Sequence, residues 1–151
     1  MKKRNISLSS LETGAPYNLC IRHGDLIFIS GLPPFDAEFS AQLRNARANG
    51  RPAPPFPDLS FEQQVTIVMT NLKALIEAAG SNMDCLLRVT VWLKDQSRQE
   101  EFDRIYRKYF SSQEVLPTRT RIQVGRLPMN CDVEVEAIGY VPNEGYIGTP
   151  N

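Results

Sequence analysis

The sequence has little histidine and cysteine, no long apolar run and no excess of either charge. Its single histidine, His23, adjoins a predicted turn at Gly24. A solvent-facing turn residue is the simpler interpretation of this histidine, and a catalytic base is the alternative. Without a second histidine, the usual catalytic triads and most zinc sites are excluded. No segment approaches the roughly twenty apolar residues that cross a bilayer, so no membrane association is expected.

Three cysteines, Cys20, Cys85 and Cys131, lie far apart and form no C-x-x-C pair. This spacing predicts free thiols in a reducing compartment. The basic N-terminus is followed by polar residues and not by the apolar region of a secretory signal. A cytoplasmic protein is therefore expected.

The charges of the chain balance, with seventeen basic and seventeen acidic residues. General nucleic-acid binding draws on excess positive charge, so the balance argues against a nucleic-acid partner. The 151 residues, of which 42% are hydrophobic, suffice for one domain with its own core and leave no room for a second.

Hydrophobic periodicity and turn signals divide the chain into two helices and six strands. Two β-rich runs around Gly24 predict a hairpin. Ser60 begins the S-x-x-Q pattern of a capping box, and Gly80 supplies a stop for the helix that follows. The predicted strands are 5–8, 19–23, 26–30, 84–94, 119–125 and 133–141, and the predicted helices are 60–79 and 98–110.

Residues 33–58 contain six of the eleven prolines, which predicts an insertion loop of about 25 residues. Because loops of this length are uncommon, the segment is either a mobile surface insertion or a packed functional lid. The stretch 142–151, rich in glycine and proline, is predicted to be a flexible tail that either frays or lies across a neighbouring protomer.

The order of these elements predicts an α+β domain, with one mixed sheet that carries two helices on a single face. The other face of the sheet stays uncovered in this arrangement. An apolar sheet face in water acts as an interaction surface, so a homo-oligomer that buries it is expected.

The C-terminal third contains the candidate chemical groups. Arg119 and Arg121 share one face of a predicted strand, and Glu134 and Glu136 share one face of the next. On neighbouring strands these residues can meet, either as a solvated cross-strand ion pair or as a functional site. The spacing alone leaves both interpretations open.

Several short segments occur in a characteristic order: GAPY at 14–17, LIFISG at 26–31, NLKALIEAAG at 71–80, VTVWLKD at 89–95, YRKYF at 106–110, PTR at 117–119, LP at 127–128 and VEVEA at 133–137. The ordered set, with Arg119 fifteen positions before Glu134, resembles the Rid family of YjgF-like imine and enamine deaminases. The resemblance implies a chorismate-mutase-like fold and a homotrimer whose sheets form a central barrel. It also implies active sites in the clefts between subunits.

In such enzymes an enamine or imine beside a carboxylate is hydrolysed to a keto acid and ammonia, without metal or organic cofactor. Arg119 matches the family arginine that grips the substrate carboxylate. Glu134 matches the glutamate that positions or activates water. Tyr17 and Ser30 match pocket residues, and Thr120 follows the arginine, where its backbone N–H can reach the carboxylate.

Two positions depart from the best-known members of the family, because Arg121 stands in place of cysteine and Asp103 in place of asparagine. A second guanidinium suits a substrate with two carboxylates, which favours 2-aminomuconate or a related dicarboxylate. The equally open alternative is that Arg121 pairs with Asp103 or Glu136 and never meets substrate.

Two other functions compete with the deaminase. A non-catalytic trimer that binds small carboxylate metabolites needs only the arginine, whereas the presence of both Arg119 and Glu134 favours an enzyme. A ribonuclease or translation inhibitor, an activity attached to relatives of the family, is disfavoured by the neutral charge and the lack of a basic and aromatic strip.

Overall fold

The structure, a computed structural model, describes residues 1–142, which form one six-stranded mixed sheet with three α-helices. This arrangement belongs to the predicted α+β class. Short 3-10 turns at Met83–Cys85, Gln96–Arg98 and Arg107–Tyr109 precede β4 and flank α3. The helices are α1 (Ala37–Ala48), α2 (Phe61–Ala78) and α3 (Gln99–Tyr106), and the strands are β1 (Arg4–Ile6), β2 (Cys20–His23), β3 (Leu26–Leu32), β4 (Leu86–Leu93), β5 (Thr118–Gln123) and β6 (Val133–Tyr140).

The strands lie in the order β1-β2-β3-β6-β4-β5. The predicted β2–β3 hairpin is confirmed, and its turn uses Gly24 at a φ of 61°, in the left-handed region that favours glycine. β4 and β5 are parallel, and α3 lies in the connection between them, while the other pairs are antiparallel. β5 and β6, which carry Arg119 and Glu134, are not neighbours in the sheet, because β4 lies between them.

The core lies between α2 and one face of the sheet. Ser60 accepts a hydrogen bond from the Gln63 backbone N–H, and the Gln63 side chain accepts one from the Ser60 N–H, so the predicted capping box is confirmed. Each apolar side chain buried in this core contributes about 1.5–3 kcal/mol to the free energy of unfolding, because folding removes it from water. The fully buried contacts include Val65, Val68, Leu72 and Ile76 of α2 and Ile27, Val89, Val91, Val133 and Val135 of the sheet.

α1 occupies part of the segment for which the sequence predicts a loop, so that prediction is wrong for residues 37–48. Asp36 accepts a hydrogen bond from the Phe39 backbone N–H (2.8 Å), which caps the first turn. The rings of Phe35, Phe39 and Phe56 pack with centroids 5.0–5.9 Å apart and join the proline-rich stretch to the helix. The insertion is therefore packed, and the domain carries three helices where two were predicted.

The face of the sheet opposite α2 is uncovered in the single chain, as predicted. Leu26, Phe28 and Ile122 each expose 43–47% of their surface there. Glu134 and Glu136 lie on the same face, because they alternate along β6 with buried valines. This face is thus a mixed apolar and acidic surface.

The predicted free state of the three cysteines is confirmed, and all three are buried. Within residues 1–142 no helix has the length and apolar character that a membrane crossing requires. The tail predicted at 142–151 lies, apart from Pro142, outside the described residues.

Candidate functional site

Arg119 lies on β5, the edge strand of the sheet, with its side chain on the helix-covered face. It pairs in register with Val89, which is buried beneath the helices. Its guanidinium lies 4.8 Å from the centroid of the Tyr106 ring and forms a 2.8 Å ion pair with Asp103. Because aromatic stacking and a charged partner restrict this long side chain, its orientation is set before any ligand arrives.

Asp103 binds two arginines through one oxygen. Its Oδ1 atom forms an ion pair with Arg119 Nη2 and accepts a hydrogen bond from Arg121 Nη1, both at 2.8 Å. Arg121 Nη2 donates to Gln99 Oε1, also at 2.8 Å. Arg121 therefore forms the ion pair with Asp103 that one of its two sequence-based interpretations names, and its contact with substrate stays a prediction. It forms no ion pair with Glu136, which lies on the opposite face of the sheet.

Tyr106 is buried beside this cluster. Burial raises the pKa of its hydroxyl to about 12, an effect that nearby Arg119 opposes and Asp103 reinforces. The hydroxyl therefore stays protonated at neutral pH, and it has no hydrogen-bond partner within residues 1–142. A surface pocket of about 410 Å³ is lined by Asp103, Tyr106, Arg107, Gln113, Leu116, Pro117 and Arg119.

Glu134 lies near the start of β6, on the uncovered face, where it pairs in register with Trp92. Its carboxylate packs against Gly31, and a Cβ atom at that glycine would overlap Glu134 Oε1. Burial raises the pKa of Glu134, and the negative charge of Glu136 raises it further. A carboxyl group in this environment holds its proton to a higher pH than an exposed one, which suits an acid–base group.

Ser30 lies on the uncovered face of the sheet, where it lines a surface pocket with Phe28 and Glu136. β3 is irregular between Ile29 and Leu32, so Ser30 and Gly31 together face one residue of β6. The Ser30 hydroxyl donates to the Asn18 carbonyl oxygen (2.8 Å), which ties this bulge to the segment that carries Tyr17. Tyr17 itself is 55% exposed. The three predicted residues Tyr17, Ser30 and Glu134 are therefore joined through adjacent backbone.

Thr120 is exposed on the face opposite Arg119, and its pairing with Thr90 places it on the uncovered side of the sheet. The ligand role of its backbone N–H stays a prediction.

The predicted site residues form two separate groups in a single chain. One group, on the helix-covered face at the β5 edge, contains Arg119, Arg121 and Asp103. The other contains Glu134 and Ser30 on the uncovered face, and the loop that carries Tyr17 is hydrogen-bonded to Ser30 through Asn18. Opposite faces and an intervening strand separate the two groups, so one chain does not bring Arg119 and Glu134 into a common crevice.

The sequence interpretation missed three residues of these groups. The sequence patterns give Gly31 no role, although a glycine beside a carboxylate can mark a close approach of two segments. They give Tyr106 no role either, although it stands three residues after Asp103 and so projects from the same face of α3. Gln99 carries no signal that singles it out.

Histidine, cysteine and acidic side chains do not converge in threes anywhere in the described part of the chain, 1–142, in a way that suits a metal ion. The chemistry that this arrangement can supply is that of a guanidinium, a carboxyl group and a phenol.

The fold, and the chain over most of its length, match one protein class. A model described as Endoribonuclease L-PSP matches residues 7–141, and the chain belongs to this family, which includes the YjgF, RutC and Rid proteins. The predicted resemblance is thereby confirmed at the level of the family.

Individual relatives agree with this assignment. A RutC family protein of Pyrococcus horikoshii is 31% identical over 125 residues, which cover 83% of this chain and 86% of the relative. The structure of RidA from an Antarctic Psychrobacter superposes with a TM-score of 0.75 at 25% identity, covering 91% of this chain and 98% of that one. The YjgF gene product of E. coli shares the fold, with a TM-score of 0.73 at 24% identity and coverage of 91% and 98%.

Proposed function

We propose that the protein is a hydrolytic deaminase that converts an enamine or imine carrying a carboxylate to a keto acid and ammonia. The observation that carries this proposal is the combination of a prearranged guanidinium, Arg119, with a desolvated carboxyl group, Glu134, in a chain of this family. An arginine that binds the substrate and a carboxyl group that moves one proton supply what such a hydrolysis requires.

Arg119 binds the substrate carboxylate in this proposal. The Tyr106 ring and Asp103 hold one side of the guanidinium, so its other N–H groups are directed to a ligand as a planar fork. The pocket beside Arg119 and the protonated Tyr106 hydroxyl provide further room and one further donor. A lysine at position 119 would offer a point charge without this geometry.

Glu134 moves the proton in the reaction. Its carboxyl group donates a proton to the enamine carbon, which gives an electrophilic iminium ion and the Glu134 carboxylate. This carboxylate then accepts a proton from the water that adds to the iminium carbon, and a neutral carbinolamine forms. The carbinolamine nitrogen takes up the proton from Glu134 and leaves as ammonia, while the hydroxyl group returns its proton to the Glu134 carboxylate and becomes the carbonyl group of the keto acid. A raised pKa favours the first of these steps.

The complete site is proposed to form between copies of the chain in a homotrimer. Because Arg119 and Glu134 lie on opposite faces of one sheet, a site that uses both needs the arginine of one copy and the glutamate of another. The uncovered apolar face supplies a surface that such an assembly would bury.

The substrate is proposed to carry one carboxylate bound by Arg119. A second carboxylate, as in 2-aminomuconate, would have to replace Asp103 or Gln99 on Arg121. Substitution Arg121→Cys separates the two cases. If Arg121 binds a second carboxylate, turnover of 2-aminomuconate falls and that of 2-aminoacrylate does not. Equal effects on both substrates would discard the dicarboxylate.

The central experiment measures ammonia release from 2-aminoacrylate generated in place by a serine dehydratase. The wild-type protein should accelerate it, and Arg119→Ala and Glu134→Gln should each abolish the acceleration. Arg104→Ala, which removes an exposed arginine of α3, is the matched control and should behave as wild type.

A carboxylate-binding protein without catalysis is the second candidate, since Arg119 alone could bind an anion. It predicts that calorimetry detects pyruvate binding, which Arg119→Ala removes and Glu134→Gln retains, and that no variant releases ammonia.

Because the family description names an endoribonuclease, the same preparations should also be incubated with RNA. RNA cleavage that is lost in Glu134→Ala would overturn the deaminase assignment.

A further inference from the structure

The insertion that contains α1 contacts the chain segment leading to Tyr17. Arg44 Nη1 donates to the carbonyl oxygens of Ser9 (2.9 Å) and Glu12 (2.7 Å). Arg47 Nη1, one turn further along α1, donates to the carbonyl oxygen of Thr13 (2.6 Å). Two guanidinium groups thus satisfy three backbone carbonyls of a segment that has no helix or strand of its own.

Tyr17 lies between this contact and a second anchor. On its C-terminal side, the side chain and backbone N–H of Ser30 donate to the carbonyl oxygens of Asn18 (2.8 Å) and Leu19 (2.9 Å). The segment 9–19 is consequently held at one end by α1 and at the other by β3. The exposed ring of Tyr17 is carried between these two fixed points.

α1 is itself fixed to the core. Phe39 and Leu43 are buried, and Asn71 of α2 donates to the carbonyl oxygen of Phe35 (2.8 Å) just before α1 begins. The cavity between the insertion and the Tyr17 segment measures about 20 Å³, room for about one water molecule. Because the hydrogen bonds of Arg44 and Arg47 join α1 to the segment, a displacement of α1 would be transmitted to it.

We propose that Arg44 and Arg47 are positioning residues that hold Tyr17 at the mouth of the site. This inference rests on the proposed function and on the sequence-based expectation that Tyr17 belongs to the substrate pocket. When a loop is ordered before substrate arrives, substrate binding causes no further loss of its conformational entropy, and the free energy of binding is more favourable. Without the two arginines, only a fraction of molecules would hold Tyr17 in place, and the apparent affinity would fall by that fraction.

The expected signature is a change in KM larger than the change in kcat. In the deamination assay, the double variant Arg44→Ala/Arg47→Ala should raise KM by about tenfold, because the competent fraction falls, and should lower kcat less. Arg44→Lys/Arg47→Lys should recover most of the affinity, since an ammonium can still donate to the same carbonyls. Arg51→Ala, an exposed arginine of the same insertion, is the matched control and should leave both constants unchanged.

A double-mutant cycle tests whether the arginines act through Tyr17. In a Tyr17→Ala background the two arginine substitutions should have almost no further effect on KM. If the arginine substitutions raise KM by the same factor with and without Tyr17, they do not act through Tyr17. That result would contradict the positioning role and indicate a general loss of stability.

Amide hydrogen exchange tests the inference without substrate. Exchange in residues 9–17 should rise in the double alanine variant and stay at the wild-type level in Arg51→Ala. If wild type releases no ammonia, the proposed function fails and the exchange result alone decides whether the arginines order the segment. If wild type is active but the double variant matches Arg51→Ala in KM and exchange, the positioning role is overturned while the proposed function stands.

Discussion

The charge of Asp103 controls how strongly Arg119 attracts an anion. Asp103 pairs with both Arg119 and Arg121, so it cancels part of their positive charge. Asp103→Asn keeps the side-chain shape and an acceptor oxygen but removes that charge. We expect KM for a carboxylate substrate to fall by about threefold, a modest effect because the pair is partly solvated and screened. Glu100→Gln, which makes the same charge change on an exposed part of α3, should leave KM unaltered; an unchanged or higher KM in Asp103→Asn would contradict the expectation.

The pH dependence of the reaction should report on Glu134 and its neighbour Glu136. Glu134 has a pKa above the ordinary value of 4.5, chiefly through burial and secondly through Glu136. Because the first proposed step is proton donation by the Glu134 carboxyl group, kcat/KM should fall with rising pH as Glu134 loses its proton. Glu136→Gln removes a negative neighbour, lowers the pKa of Glu134 and should move this limb to lower pH. The measurement is kcat/KM from pH 4 to 8 for wild type, for Glu136→Gln and for the control Glu62→Gln, which changes a remote acidic residue. If wild type and Glu136→Gln lose activity over the same pH range, the effect of Glu136 on the pKa of Glu134 is refuted.

At the scale of elements, the strongly periodic segments could be predicted from the sequence and α1 could not. α2 has an apolar face of regular spacing and a capping box, both visible in the sequence. α1 buries only Phe39, Ser40 and Leu43, so its periodicity is weak, and the prolines on either side suggest a loop. The usable signals were the capping Asp36, the proline-free interval 35–51 and the stop at Gly50, where φ is 62°.

Hydrogen bonds of Gln64 join the start of α2 to the segment just before β6, and a substitution can test their contribution to stability. Its side-chain nitrogen donates to Asp132 Oδ2 (2.9 Å) and to the Leu59 carbonyl oxygen (3.0 Å), and its oxygen accepts from the Asp132 backbone N–H (2.8 Å). Gln64→Leu leaves these groups without partners, so the free energy of unfolding should fall by about 2–3 kcal/mol. Urea unfolding at matched protein concentration measures the change. Gln42→Leu, on the exposed side of α1, is the control; equal stability of the two variants would show that the network contributes little.

At the scale of the whole molecule, the sequence indicated which residues matter but not how they come together. The spacing of Arg119 and Arg121, and of Glu134 and Glu136, correctly placed each pair on one face of its strand. It did not reveal that β4 separates the two strands or that the pairs lie on opposite faces, because strand order depends on long-range pairing. Two signals in the sequence predict assembly with further copies of the chain: the apolar residues of the uncovered face and the resemblance to a family of homotrimers.

Mixing inactive chains tests whether the site is shared between copies. Arg119→Ala and Glu134→Ala chains should each be inactive alone, because each lacks one half of every site. The two variants are then co-expressed so that they assemble into mixed trimers of about 51 kDa, three chains of 17.0 kDa each. Some interfaces of these trimers combine the intact arginine of one chain with the intact glutamate of the next. Random assembly of equal amounts places the two intact halves together at about one interface in four, so about a quarter of wild-type activity should return. A site contained in one chain predicts no recovery, because every chain in the mixture is defective. Native mass spectrometry of the same sample establishes that mixed trimers are present. When Phe28→Lys is added to both variants, it places a charge on the uncovered face, and the chains should neither assemble nor recover activity.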